Sequence, residues 1–330
     1  MRIIFFGSPR EAADSLGSLI SAGHDVVAVY TRPDRRAGRG REKTQTPVKV
    51  FAEKHGLPVF TPAGFRNSAQ QLDRMATANA DVFVVVAYGR ILPSDILQVP
   101  PMGVVNVHPS LLPMYRGPSP VVTAILDGLT HTGVTVMLLD EGMDTGPVLA
   151  QSPPVRLTGR ERAAELQARL FKEGAAMLPA VLTGLQDGTV VPTPQDDSKA
   201  TVTRLLDRSD GEIDWTLSAV QIDRMVRAYD PWPGTFTSWN GKGLKILDVE
   251  LLSGAGMGAT TESRPDLDSN YRLGHDPGKV VIRDGKLLIG TGTGPLEITR
   301  LQLEGRQGVA ADEFLRGRPD IGGATLGGHS

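Results

Sequence analysis

Over its first half the chain alternates short, unbroken apolar runs with amphipathic segments. Ile3 to Phe6 forms the first run and stops at Gly7-Ser8-Pro9; from Glu11 to Ala22, the residues Ala12, Leu16, Leu19 and Ile20 recur at helical spacing. Val26 to Tyr30 is a second run, Pro47 to His55 a second helical segment, and Val59 with Phe60 a short third run. Ser68 to Ala76 and Val82 to Val86 repeat the helix-then-strand pattern. Val104 to His108 and Val134 to Leu139 add two strands, and Arg160 to Thr183 adds a helix. Strands apolar on both faces, separated by amphipathic helices, are expected where a mainly parallel sheet is covered on both sides. The pattern predicts a doubly wound α/β domain over residues 1–188.

The pattern then changes. Val191-Pro192-Thr193-Pro194-Gln195-Asp196-Asp197 is polar and proline-containing, and a linker is expected over residues 189–206. Ser218 to Tyr229 has helical spacing. After it come short apolar runs broken by glycines: Leu244 to Val249, Val280 to Ile282, Leu287 to Ile289 and Leu296 to Leu303. These predict a smaller C-terminal β-barrel of OB-like form over residues 207–330. Gly254 to Asn270 and the glycine-rich tail after Arg318 are expected to be mobile surface segments.

Composition removes several kinds of chemistry. The chain has no cysteine, which excludes disulfides, thiolate metal sites and a cysteine nucleophile. No stretch approaches the roughly 18 apolar residues of a membrane span, and the start is too soon broken to be a signal segment, so a cytoplasmic protein without a membrane partner is expected. A monomer is expected as well. Net charge is only -2, so a nucleic acid would have to be met by a local basic patch. One exists: from Thr31 to Lys54 eight basic residues face three acidic ones, a surplus of five concentrated in Arg32-Pro33-Asp34-Arg35-Arg36-Ala37-Gly38-Arg39-Gly40-Arg41-Glu42-Lys43. Arginine forks match phosphate, and the interleaved glycines would let such a loop follow a phosphate backbone.

Candidate chemistry lies at the strand ends. Asn106 and His108 are two apart at the carboxyl end of an apolar strand, so both point to one side, where Pro109 ends the strand. Polar groups at such an edge suit a ligand crevice. A turn-capping Asn and a buried, satisfied His would give the same local pattern. Asp140-Glu141-Gly142-Met143-Asp144-Thr145-Gly146 follows the next strand; if that strand is parallel too, the cluster opens on the same edge, where a carboxylate could orient the imidazole. An ordinary turn is the alternative. The cluster lacks the ligand spacing of a calcium loop, no two histidines fall four apart, and neither a phosphate-loop motif nor a nucleophile elbow is present. No metal is expected.

Taken together, these segments resemble the folate-dependent formyltransferases, and within them the family that formylates methionyl transfer RNA. The resemblance rests on Phe6-Gly7-Ser8-Pro9, Pro33-Asp34-Arg35 to Gly38-Arg39-Gly40, Pro47-Val48-Lys49 and Val86-Ala87-Tyr88-Gly89. It continues through Asn106-x-His108-x-Ser110-Leu111-Leu112-Pro113-x-x-Arg116-Gly117, Asp140-x-Gly142-x-Asp144-Thr145-Gly146, Ile213-Asp214-Trp215 and Arg227-Ala228-x-Asp230-Pro231-Trp232-Pro233. The Asn-x-His to Ser-Leu-Leu-Pro block marks the superfamily; the basic loop and the Asp-Pro-Trp-Pro segment point to the transfer-RNA branch. Pro109, where that branch often has Gly, and Pro118-Ser119, in place of a more usual Ala-Ala, depart from the pattern.

The resemblance implies that 10-formyltetrahydrofolate donates its formyl group to the α-amine of initiator methionyl-tRNA, for translation initiation. Asn106, His108 and Asp144 would be catalytic. The folate would lie against Val86, Ala87, Tyr88, Gly89, Ile91, Leu92 and Asp140, and Ser110, Leu111, Leu112 and Pro113 would line its passage. Arg36, Arg39, Arg41 and Lys43 would contact the transfer RNA. The alternatives are a formyltransferase acting on a UDP-linked aminosugar and, more distantly, a folate- or RNA-binding protein without catalysis.

Overall fold

In a computed structural model, which describes residues 1–37, 42–65, 69–252 and 276–327, the chain divides into two units. Unit 1 comprises Met1–Pro120, Thr130–Leu157 and Glu165–Arg204, and unit 2 comprises Val121–Leu129, Thr158–Ala164 and Leu205–Ser330. The elements in chain order are β1 (Arg2–Gly7), α1 (Arg10–Ser21), β2 (Asp25–Tyr30), β3 (Arg35–Ala37), β4 (Glu42–Thr44), α2 (Pro47–Lys54), β5 (Val59–Phe60), α3 (Ala69–Thr77), β6 (Val82–Val86), α4 (Ser94–Leu97), β7 (Val104–His108) and α5 (Pro120–Leu126). They continue with β8 (His131–Thr132), β9 (Thr135–Leu138), β10 (Val148–Gln151), β11 (Val155–Arg156), α6 (Ala163–Gln186), α7 (Ala219–Ala228), β12 (Thr235–Trp239), β13 (Lys242–Leu251), β14 (Val280–Arg283), β15 (Lys286–Thr291), β16 (Gly294–Leu303), β17 (Val309–Ala310) and α8 (Ala311–Gly317).

Unit 1 is built on a seven-stranded sheet in the order β10-β9-β7-β6-β1-β2-β5. From β7 to β5 all neighbours are parallel. β6 is buried on both faces, as its unbroken run of Val and Phe requires. One face carries Ile4, Phe6, Tyr30, Phe83, Val85 and Val104, which pack with Phe65, Met75, Tyr88 and Ile96. Val85 pairs with Asn106, so this is also the face from which Asn106 and His108 project. Val107 points the other way, towards α6, and there a close approach is built in: a Cβ at Gly174 would lie 2.4 Å from Val107 Cγ1 and 3.1 Å from Val134 Cγ1.

The two strands after β7 correct a sequence-based expectation. β9 runs antiparallel to β7, with Asn106 opposite Met137 and His108 opposite Thr135, and β10 is antiparallel to β9. The acidic loop therefore leaves its strand at the opposite end from His108, where the Leu139 amide donates to the Val104 carbonyl at 2.7 Å. The connection from β7 to β9, residues 109–134 with α5 and β8, allows either direction, and period-two patterning carries no information on strand direction.

Of residues 189–206, expected as linker, 190–204 run along unit 1. The Thr193 amide and carbonyl both bond Val148 at 2.8 Å, the Arg116 amide donates to the Thr201 carbonyl at 2.8 Å, and the Thr203 amide donates to the Arg116 carbonyl at 2.7 Å. The basic segment, expected as a loop, contains a two-stranded antiparallel ribbon in which Arg35 opposes Thr44 and Arg36 opposes Lys43. Arg39 and Arg41 lie outside the described residues.

The sheet of unit 2 is antiparallel, along the path β12-β13-β16-β15-β14 with β17 on β16. Its strands alternate in burial, most regularly in β12 and β16. The inward residues Trp239, Leu244, Ile246, Leu287, Ile289, Leu296, Ile298 and Leu301 pack with Ile222 and Val226 of α7 and Phe314 of α8. A capping box between Ser218 and Gln221 starts α7. The Arg162 guanidinium pairs with Asp230 at 3.0 Å and Asp248 at 2.5 Å. The tail expected to be mobile is held as far as it is described: Ile321 and Leu326 are buried in this core, and the Leu326 amide donates to Gly278. The expected Gly254 to Asn270 loop lies outside the described residues. Among the described residues no helix is long and apolar enough to cross a membrane.

Candidate active site

Asn106 is partly buried on β7, and its side-chain amide takes no partner among the described residues. Two residues on, His108 is 4% exposed and held from both sides. Its Nε2 donates to the Tyr115 carbonyl oxygen at 2.9 Å, and its Nδ1 stands 3.6 Å from Asp144 Oδ2. Both ring nitrogens face acceptors.

Asp144 reaches His108 because the loop after β9 folds back. The Leu138 amide donates to the Pro147 carbonyl at 2.9 Å, and Gly146 sits so close that a Cβ there would lie 2.0 Å from the Leu138 oxygen. Asp144 itself has φ 55°, the left-handed region where Asp is better tolerated than most residues. Its Oδ2 accepts from the Gly117 amide at 2.8 Å. Asp140, by contrast, turns one carboxylate oxygen into the loop: its Oδ1 accepts from the Gly142 amide at 3.0 Å and the Thr145 hydroxyl at 2.7 Å.

The other expected site residues separate into reachable and buried groups. Ala87 and Gly89 have φ 46° and 70°, and they turn the chain after β6 so that Arg32 fits beneath it. The Arg32 Nε donates to the Tyr88 carbonyl at 3.0 Å and its second arm to the Gly89 carbonyl. Burial first, then the charges of Arg35 and Arg90, pull the Arg32 guanidinium below its ordinary value. The side chains of Val86, Tyr88, Leu92, Ser110 and Leu112 are buried, so a ligand would meet chiefly their backbone. Ser110 donates its hydroxyl to the Met114 carbonyl at 2.7 Å. Ile91 is exposed, and Leu111 and Pro113 are partly buried. Burial pushes the phenols of Tyr30 and Tyr88 up to about 12, and among the described residues neither hydroxyl has a hydrogen-bond partner.

Sequence reasoning gave no role to the groups that hold these loops. Tyr115 acts through its carbonyl, which no side-chain pattern reveals. Arg116 is buried; its Nε donates to Gln195 Oε1 at 3.0 Å and its terminal nitrogen to Asp197 at 2.7 Å. Gln195 lies 51 residues beyond Asp144, in a stretch whose composition reads as linker, and no local motif marks it.

A parallel-dominated sheet unit followed by an antiparallel β unit agrees with the relatives that the chain matches. The formyl transferase family matches residues 1–182, and the formyl transferase C-terminal domain matches residues 205–319, which sets the class. The chain is 44% identical to methionyl-tRNA formyltransferase of Chloroflexus aurantiacus over 96% of this chain and 97% of that one. It is 45% identical to that of Chloroflexus aggregans over 99% of this chain and 100% of that one. It belongs to the methionyl-tRNA formyltransferase family. Its fold is shared with an N-formyltransferase from Helicobacter canadensis solved with folinic acid and dTDP-3-aminofucose, at a TM-score of 0.63 and 18% identity, over 90% of this chain and 98% of that one.

Proposed function

We propose that this chain transfers the formyl group of 10-formyltetrahydrofolate to the α-amine of methionine esterified to initiator transfer RNA. The observation that carries this reading is the unpaired Asn106 amide on the same strand face as His108, whose ring stands 3.6 Å from Asp144. The near-full-length likeness to methionyl-tRNA formyltransferases supports the choice of acceptor.

A formylated folate supplies a carbonyl carbon open to attack by the amine. Negative charge then develops on the formyl oxygen, and the Asn106 amide is free to donate to it. His108 handles the protons: one leaves the incoming amine and one must reach the departing folate nitrogen, a task for a residue type that changes charge near neutrality. The ring does so by exchanging its Nε2 hydrogen bond from the Tyr115 carbonyl to the reacting groups, while Asp144 keeps it aligned. The turn Val86 to Leu92, with its left-handed Ala87 and Gly89, offers backbone groups to a pterin edge. Leu111, Pro113 and the exposed Ile91 line the approach, and the backbone of Ser110, Leu112 and Asp140 completes it.

Arg36, Arg39, Arg41 and Lys43 contact the phosphates of the transfer RNA, residues 1–188 carry the transfer, residues 189–206 link, and residues 207–330 hold the RNA. The protein acts as a monomer in the cytoplasm and needs no metal. The deciding assay supplies 10-formyltetrahydrofolate with either charged initiator methionyl-tRNA or a nucleotide-linked aminosugar. Formylation of the charged RNA alone is expected. Formylation of the aminosugar alone would overturn the reading, as would release of formate without transfer to either.

A further inference from the structure

We propose that Gln195 is the positioning residue that sets the His108–Asp144 pair, by joining with one side-chain amide the two loops that grip the imidazole from opposite sides. This rests on the catalytic reading of that pair given above.

The two sides have different supports. On the Nδ1 side, Asp144 arrives on a folded-back loop in a left-handed conformation, with its carboxylate on the Gly117 amide. Gln195 ties the backbone of that loop: its Nε2 donates to the Asp144 carbonyl at 2.8 Å and to the Gly146 carbonyl at 2.7 Å. On the Nε2 side, the Tyr115 carbonyl accepts from His108, and its position follows from Arg116, whose Nε donates to the Oε1 of the same Gln195 at 3.0 Å. Arg116 is further tied by Asp197 at 2.7 Å, and Tyr115 by the Thr201 hydroxyl, which accepts from its amide at 2.8 Å. Both amide hydrogens and the amide oxygen of Gln195 are thus engaged, two contacts towards one loop and one towards the other.

The side-chain chemistry is specific. Only a primary amide at this reach gives two donors to carbonyls and one acceptor to a guanidinium. Glutamate keeps the Arg116 contact, now charge-assisted, but turns an oxygen towards the two carbonyls. Leucine keeps the volume and loses all three contacts. The two variants therefore separate the Asp144 side of the bridge from the Arg116 side.

The experiment compares Gln195→Glu and Gln195→Leu with the parent in steady-state formylation of charged initiator methionyl-tRNA, in thermal melting, and by the nitrogen resonances of the His108 ring. A misplacement of about 1 Å in a reacting group costs roughly a hundredfold in rate. Both variants should therefore lose about 10- to 100-fold in kcat, keep both KM values within about twofold, melt as the parent does, and show displaced His108 resonances. Unchanged His108 resonances in both variants overturn the proposal at any turnover, and so does a joint fall in kcat, donor binding and melting temperature, which marks a scaffold role. Displaced resonances with full turnover uphold the positioning and instead sink the catalytic role of the His108–Asp144 pair.

Discussion

Gly174 offers the sharpest test of how the site strand is held, because two physical effects predict opposite signs for one methyl group. Gly174 lies inside α6, where alanine is favoured over glycine by about 1 kcal/mol. Propensity alone therefore makes Gly174→Ala stabilising. The packing says the reverse, since the new Cβ would lie 2.4 Å from Val107 Cγ1, on a short, stiff, fully buried side chain, and 3.1 Å from Val134 Cγ1. Overpacking of a well-packed core costs about 1–3 kcal/mol, which leaves a net loss of about 1 kcal/mol after the helical gain. That lowers the melting temperature by about 2–4 °C in a domain of this size. Val107→Ala alone removes two buried methyl groups and should cost about 2 kcal/mol. In the double variant the methyl introduced on α6 occupies the space vacated, so the loss should fall short of the sum by about 1 kcal/mol or more. Guanidinium denaturation of the four proteins closes the cycle. A stabilised Gly174→Ala, or strict additivity with Val107→Ala, refutes the packing argument. Val107 sits between Asn106 and His108, so the single Gly174→Ala variant should also lose turnover, and adding Val107→Ala should restore part of it.

Four further outcomes are expected. Asn106→Ala should lower kcat by about 10²–10³-fold, the usual loss on removing one donor to a developing oxyanion; His108→Ala and Asp144→Ala should also lower turnover far more than folate affinity, and near-parental turnover in all three would remove the mechanism. Converting Arg36, Arg39 and Arg41 together to alanine should raise KM for charged transfer RNA and flatten its dependence on salt; an unaltered salt slope counts against contact by this segment. Tyr30 and Tyr88, raised to about 12 in the fold, ionise near 10 when unfolded. Below about pH 10 both states keep the proton and stability is flat, whereas from about 10 to about 12 only the unfolded chain loses it. Stability should fall there by about 1.4 kcal/mol per pH unit for each tyrosine, and a Tyr30→Phe, Tyr88→Phe protein that keeps the alkaline slope would show another cause. Near neutrality the same two changes remove unpartnered buried hydroxyls and should be neutral or stabilising by up to about 1 kcal/mol, which a loss on urea unfolding at pH 7 would contradict.

Much of unit 1 is legible in the sequence because its strands carry their own signal. The run Val82 to Val86 reads as a strand buried on both faces and is one, and the helical segment read from Pro47 to His55 is α2, whose cap is the Thr46 hydroxyl accepting from the Lys49 amide. Asn106 and His108 are legible for the same reason: two residues apart on a strand end means one face. Asp144 is legible only as a residue type. Its route to His108 depends on β9 turning antiparallel, and a side-chain period of two is the same in either direction. Gln195, Arg116 and the Tyr115 carbonyl are further out of reach, because what they do arises from tertiary hydrogen bonds between segments far apart in the chain. A proline-flanked polar stretch reads as linker whether it floats or, as between Thr193 and Thr203, lies bonded along a domain.

That bonding bears on where the chain can be cut. A fragment ending at residue 188 would retain every strand of the main sheet, with Asn106, His108 and Asp144 all present, yet lack the donor that holds the Asp144 and Gly146 carbonyls. Extending it to Arg204 restores Gln195, Asp197, Thr201 and Thr203. During synthesis the same order applies: the residues of the sheet and α6 are made before residues 190–204, so the core's segments precede the one that ties the Asp144 loop to Arg116.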